Sequence, residues 1–170
     1  MSSVEVDLVR RHFEQMWNKR NFAACTALMA ESFVEHGAAP FASSGPGQVH
    51  GPTAMRETME WILGQFPDLH FDVEALVAEG DLVAARVRAT GSNLGRLNGF
   101  LPPSGKAFSY TQSHWFRIDD GKLAEHWAVR DDLTVMLQLG VVTPPRLGAL
   151  VRQLRGAVHY RLGHGHRSDG

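Results

Sequence analysis

The sequence predicts an α+β domain in which helices come first and an antiparallel sheet follows. Two observations predict it. Up to Phe66 the apolar residues recur at helical spacing, whereas from His70 to Arg130 they alternate. The alternating stretches are joined by tight turns at Gly80-Asp81 and Asp119-Asp120-Gly121 with no helix between them. That is not the strand–helix alternation of a parallel sheet.

Each element has its own signal. Val6, Val9, Phe13, Met16 and Trp17 form one helical stripe, which Asn18 to Asn21 breaks. Asn21 is placed to cap a short second helix over Phe22 to Ala30, with Phe22, Cys25 and Met29 on one face. Phe33 to His36 reads as a short extended piece, and Gly37 to Gly51, rich in Gly, Ala, Ser and Pro, as a loop. Pro52 suits a helix start, and Met55, Met59, Ile62, Leu63 and Phe66 make the core stripe of that helix, which Pro67 ends. Strands follow at His70–Ala78, Leu82–Thr90, Phe108–Ile118 and Lys122–Arg130. Gly91 to Lys106 is a long connection, and Asp132 to Leu139 is a last short helix ending at Gly140. A strongly bent sheet wrapped on these helices would enclose a cavity.

The chain has 170 residues, 44% apolar and 21% charged, which fits one soluble folded domain. No apolar run approaches the ~20 residues that span a bilayer. Met1 to Asp7 lacks a signal-peptide pattern, so the expected place is the cytoplasm. A single cysteine, Cys25, rules out an intrachain disulfide and a Cys-rich zinc site. Net charge is −1 overall, but Arg146 to Gly170 carries five arginines against one acid, which leaves the remainder at −5. An acidic body argues against a nucleic-acid surface. The division expected is a domain over residues 1–141 and a basic, partly helical extension over 142–170, packed on the body or on a partner chain rather than on a membrane.

The sequence holds no phosphate-binding loop, dinucleotide fingerprint, HExxH or nucleophile elbow. The histidines show no metal-ligand spacing in an ordered element, so neither metal nor cofactor is expected. What remains is a set of polar groups in an aromatic setting. Alternation puts Tyr110, Gln112, His114 and Phe116 on one strand face, and Glu125, Trp127, Val129 and Asp131 on one face of the next strand. If the strands pair through the Asp119–Gly121 turn, both faces look into one cavity. A carboxylate walled by Trp127 would lose hydration, and its pKa would rise toward that of a useful base. A nearby imidazole or amide would donate to a developing enolate oxygen. Asp131 serves equally well as the cap of the last helix, and the pattern alone does not decide between the two.

The runs FPDLHFDVEALVAEGDLVAARVRATG, PPSGKAFSYTQSHWFRIDDGK and GKLAEHWAVRDDLTVMLQLG, with Trp17-Asn18 and GPTAMRETM, resemble the SnoaL-like polyketide cyclases over about residues 4 to 141. The resemblance implies the nuclear transport factor 2-like fold, a cone of helices on a curved antiparallel sheet, usually a homo-oligomer (homodimer or homotetramer). It implies Asp131, four residues after Trp127, as general acid/base, with His114 and His36 beside it. Gln112, Trp127, Tyr110, Trp17, Asn18, Phe66 and Trp61 are the expected substrate contacts. The implied reaction is an intramolecular aldol closure of an aromatic polyketide ester, without a cofactor. One departure is Gly91-Ser92-Asn93, where family members often carry Gly-Thr-His. Two other classes stay open: an isomerase, dehydratase or epoxide hydrolase on the same fold, and a non-catalytic module binding a hydrophobic ligand.

Overall fold

The computed structural model describes residues 3–37 and 41–143. The expected basic extension lies outside them from residue 144 onward. The element order is α1 (Ser3–Arg11), a wider helical segment (His12–Asn18), α2 (Ala23–Leu28), β1 (Met29–Glu35), β2 (Val49–His50), α3 (Gly51–Gln65), β3 (His70–Glu79), β4 (Leu82–Ser92), β5 (Ala107–Asp119), β6 (Lys122–Arg130) and α4 (Asp132–Leu139). The six strands form one curved, open sheet in the order β2-β1-β6-β5-β4-β3. All neighbours run antiparallel except β1 and β6, which are parallel.

The first helical stripe is longer and less regular than its spacing suggests. After Arg11 the backbone widens to a π-helical turn, with Lys19 N–H donating to Glu14 O at 3.0 Å. His12, Phe13, Met16 and Trp17 are all buried on its inner side. In such a turn residues five apart come one above the other, so Trp17 lies over His12. Arg20, with φ 54°, then reverses the chain. This tight reversal starts α2 with backbone bonds, so Asn21 does not cap it through its side chain. The second helix is also shorter than its stripe: Met29 is already extended and opens β1.

The core sits between the helices and the concave sheet face. Phe13, Met16, Met29, Phe33, Met59, Phe116 and Leu123 are fully buried there, each worth about 1.5–3 kcal/mol of burial. Cys25 is buried among them, its thiol 3.7 Å from Met59 Sδ. Arg86 and Arg88 lie on the outer face, paired with Glu74. Among the described residues no helix is long and apolar enough to cross a membrane.

One register shift decides what faces the core. Across the β5–β6 turn, Asp119 pairs with Lys122 and Ile118 with Leu123. A bulge then intervenes, and Arg117 pairs with Glu125, Phe116 with His126 and His114 with Ala128. A regular hairpin would have set His114 opposite Trp127. The extra residue, Ala124, reverses the faces of the rest of β6.

Candidate active site

A cavity opens between the helices and the concave sheet face. It is lined by His12, Phe13 and Trp17 from the widened helix, by Met55, Thr58, Ile62 and Phe66 from α3 and its end, and by Phe71, Phe108, Tyr110, Gln112 and His114 from the sheet. Glu35, His126, Arg130 and Val135 also line it. Most of this surface is aromatic or aliphatic, so the polar groups stand out.

Those polar groups form one chain. Glu35, at the end of β1, accepts from His126 Nδ1–H through its Oε2. His126 Nε2 lies 2.9 Å from His114 Nδ1, and His114 Nε2 lies 2.7 Å from Gln112 Oε1. The parallel β1–β6 pairing sets Glu35 beside His126, and the bulge turns His126 inward next to His114. All four side chains are buried. Glu35 is further fixed by Gly37 N–H, which donates to Oε1 at 2.9 Å. Burial, and then the neighbouring His126 charge, hold the His114 pKa well below the usual imidazole value. His114 is therefore neutral at pH 7, a donor on one nitrogen and an acceptor on the other. With His114 Nε2–H donating to the Gln112 oxygen, the amide nitrogen of Gln112 points elsewhere. Burial likewise pushes the Tyr110 phenol well above its ordinary value, so it stays protonated.

His12 is a separate polar group in the same wall. Trp17 Nε1–H donates to His12 Nε2 at 3.2 Å. His12 Nδ1 is buried and has no hydrogen-bond partner among the described residues. A buried donor left unmet costs about 1–3 kcal/mol. Burial lowers the His12 pKa well below the ordinary value.

The structure brings together five of the expected residues: Trp17, Phe66, Tyr110, Gln112 and His114. It does not bring in the others, and the bulge explains Trp127. Trp127 lies on the outer sheet face, stacked on His36 with ring centroids 4.6 Å apart and planes 5° from parallel. His36 Nε2 is 2.6 Å from Glu125 Oε2 on that same face. Asn18 bridges helix and sheet, donating to Phe71 O and accepting from Phe71 N–H, both at 2.9 Å. Trp61 donates from Nε1 to Phe41 O at 2.9 Å and is 38% exposed.

Asp131 sits just beyond β6 as the cap of α4. Its Oδ1 accepts from Thr134 N–H at 3.1 Å, and the side chain is exposed. That hydrogen bond lowers its pKa, the reverse of the shift expected for a carboxylate walled by Trp127. Asp131 belongs to a shallow groove with Thr111, Ser113 and Val129, and this groove shares Gln112 and Arg130 with the cavity. Its neighbour Asp132 is half-buried, and burial raises its pKa.

Sequence reasoning misses His12, Glu35 and His126 as site residues. His126 is hidden by the bulge, which alternation does not reveal. Glu35 needs the non-local β1–β6 contact, and His12 lies inside the apolar stripe, between Val9 and Phe13, where only its polarity marks it. Among the described residues no group of three or more His, Cys, Asp or Glu side chains is arranged to hold a metal ion.

Comparison with known proteins identifies the family and the fold. A family model described as SnoaL-like polyketide cyclase matches residues 7–139. Aklanonic acid methyl ester cyclase DauD of Streptomyces sp. (strain C5) is 30% identical over 143 residues, covering 84% of this chain and 85% of that protein. Nogalonic acid methyl ester cyclase of Streptomyces nogalater is 34% identical over 91 residues, covering 53% of this chain and 67% of that protein. The crystal structure of IdmH from Streptomyces antibioticus superposes with a TM-score of 0.68 at 30% identity, over 80% of this chain and 98% of IdmH. A cavity between helices and a curved sheet, together with a family match over most of the chain, makes this protein a member of the SnoaL-like polyketide cyclase family.

Proposed function

We propose that the chain closes a ring in an aromatic polyketide methyl ester by cofactor-independent acid/base chemistry in this cavity. The observation that carries the reading is the buried run Gln112–His114–His126–Glu35 set into an otherwise apolar, aromatic wall. Such a wall desolvates a flat substrate and holds its reacting carbons together. Its few polar groups sit where charge would develop.

In the proposed step a proton leaves the carbon next to one carbonyl, and the enolate carbon attacks a second carbonyl. One C–C bond forms, the attacked oxygen takes a proton, and the product has the mass of the substrate. Gln112, oriented by the His114 Nε2–H that its oxygen accepts, donates from its amide nitrogen to the enolate oxygen. Asp131 takes the proton. What supports Asp131 is its ionised state and its groove, which shares Gln112 and Arg130 with the cavity. To act, it exchanges the Thr134 N–H for the substrate proton. The reading includes a homo-oligomer. Trp115 and Val129, 45% and 71% exposed on the outer sheet face, are the surface a second copy would cover.

The test is mass spectrometry of wild type with aklanonic acid methyl ester and nogalonic acid methyl ester in ¹⁸O-water. An isobaric product that carries no solvent oxygen supports cyclisation. A product that gains water and ¹⁸O moves the reading to a hydrolase.

A further inference from the structure

We propose that the Nδ1–H of His12 is the docking point for a ligand oxygen, a ketone, quinone or phenol oxygen on a flat ring compound held in the cavity. The inference rests on the reading that this cavity is the ligand site, and adds to it a polar anchor and a requirement on the ligand.

The protonation of His12 follows from its partner. An indole N–H can only donate. Trp17 Nε1–H therefore requires a bare His12 Nε2, 3.2 Å away. The one proton of the neutral ring is then on Nδ1. That N–H is buried in a residue only 2% exposed, and among the described residues it has no partner. His12 lines the cavity. The rings against it, Phe13 and Phe116, both lie with centroids 5.0 Å away and meet it edge-on, and neither can accept a conventional hydrogen bond. The titratable groups that share its surroundings are His126, with its ring centroid 6.2 Å away, and the cavity residues Glu35 and His114. His126 and His114 are engaged with each other, and Glu35 with His126 and Gly37 N–H. Since no described residue supplies the acceptor, we assign it to a bound molecule.

The chemistry of that molecule follows. Its group at His12 must accept a hydrogen bond, since Nδ1–H only donates. An ammonium group has no acceptor to offer. The surrounding Phe13, Phe66, Phe71 and Phe108 suit flat rings. A ring ketone or phenol meets both demands.

The experiment compares 1-tetralone, a fused two-ring ketone, with tetralin, its skeleton without oxygen. Nitrogen-15 and proton NMR of the full chain follow the His12 ring together with Phe13, Phe71 and Tyr110. With tetralone the His12 Nδ1–H resonance is expected to move downfield, and with tetralin to stay. The His12→Phe variant, which keeps the aromatic packing, is expected to weaken tetralone roughly tenfold and leave tetralin within about twofold. The inference is overturned if tetralone shifts Phe71 and Tyr110 but leaves Nδ1–H unmoved, including the case in which a retained water occupies it. It is also overturned if both compounds shift the resonance alike. If neither compound perturbs Phe13, Phe71 or Tyr110, the reading of the cavity as ligand site fails first. The NMR arm uses wild type, so it decides the matter even if His12→Phe does not fold.

Discussion

His126 Nε2 stands 2.9 Å from His114 Nδ1, with the two ring planes 9° apart, and Glu35 closes the far end of this pair. Only one proton fits between the two facing nitrogens. The carboxylate thus orients His126, and His126 selects the tautomer of His114. If that selection serves the reaction, a neutral amide in place of Glu35 should slow turnover without emptying the cavity. Glu35→Gln is expected to lower kcat by about 10²-fold, with KM changed far less. Steady-state kinetics beside a ¹⁵N spectrum of the two rings checks this. A changed tautomer with unchanged kcat would make the chain purely structural.

Asp131 carries two assignments that separate cleanly. As the cap of α4 it accepts from Thr134 N–H. Asn caps a helix about as well as Asp, and Ala does not. Asp131→Asn should therefore melt within a degree of wild type, while Asp131→Ala should lose a few degrees. If Asp131 is also the base, both variants lose turnover. Thermal melts paired with product assays read the two effects independently.

Acid should destabilise the fold through its buried imidazoles. His12 and His114 are both held below the ordinary value of 6.5 by burial. Below pH about 6.5 the unfolded chain therefore binds protons that the folded chain refuses. The folded state is favoured above that value and loses ground as pH falls toward the depressed folded values. The slope is bounded by about 1.4 kcal/mol per pH unit for each ring. Urea unfolding at pH 7, 6 and 5 should show falling stability, and His12→Phe should reduce the slope.

The connection between β4 and β5 is seated on the end of α3 through a close backbone approach. Gly95 N–H donates to Gln65 O at 3.0 Å, and a Cβ on Gly95 would lie 1.7 Å from Gly64 O. Gly95→Ala should cost about 1–3 kcal/mol or force the loop away. Gly64→Ala, where the added carbon meets nothing within 4 Å, should gain about 0.5–1 kcal/mol from helix propensity. Denaturant unfolding of both variants tests the contact.

Much of the fold was legible because it is written in local periodicity. The stripe Met55–Phe66, the alternation Leu82–Thr90 and the turns at Gly80 and Gly121 map directly onto α3, β4 and the two hairpins. Half of the site was legible for the same reason, since Tyr110, Gln112 and His114 alternate on one regular strand. The rest depended on features without a local signature. Ala124 looks like any strand residue, yet as a bulge it sends His126 inward and Trp127 outward. Glu35 reaches His126 only through a strand pairing between residues 91 positions apart. Trp17 reaches His12 only because the helix widens, which its apolar stripe does not announce.

The central claim is that the cavity wall carrying His114 closes a ring without adding or removing atoms. The most direct measurement is the product mass formed from aklanonic acid methyl ester by wild type, beside His114→Phe. The account predicts a new isobaric product with wild type and at least a 10²-fold slower appearance with the variant. An isobaric product formed equally fast by His114→Phe would contradict it.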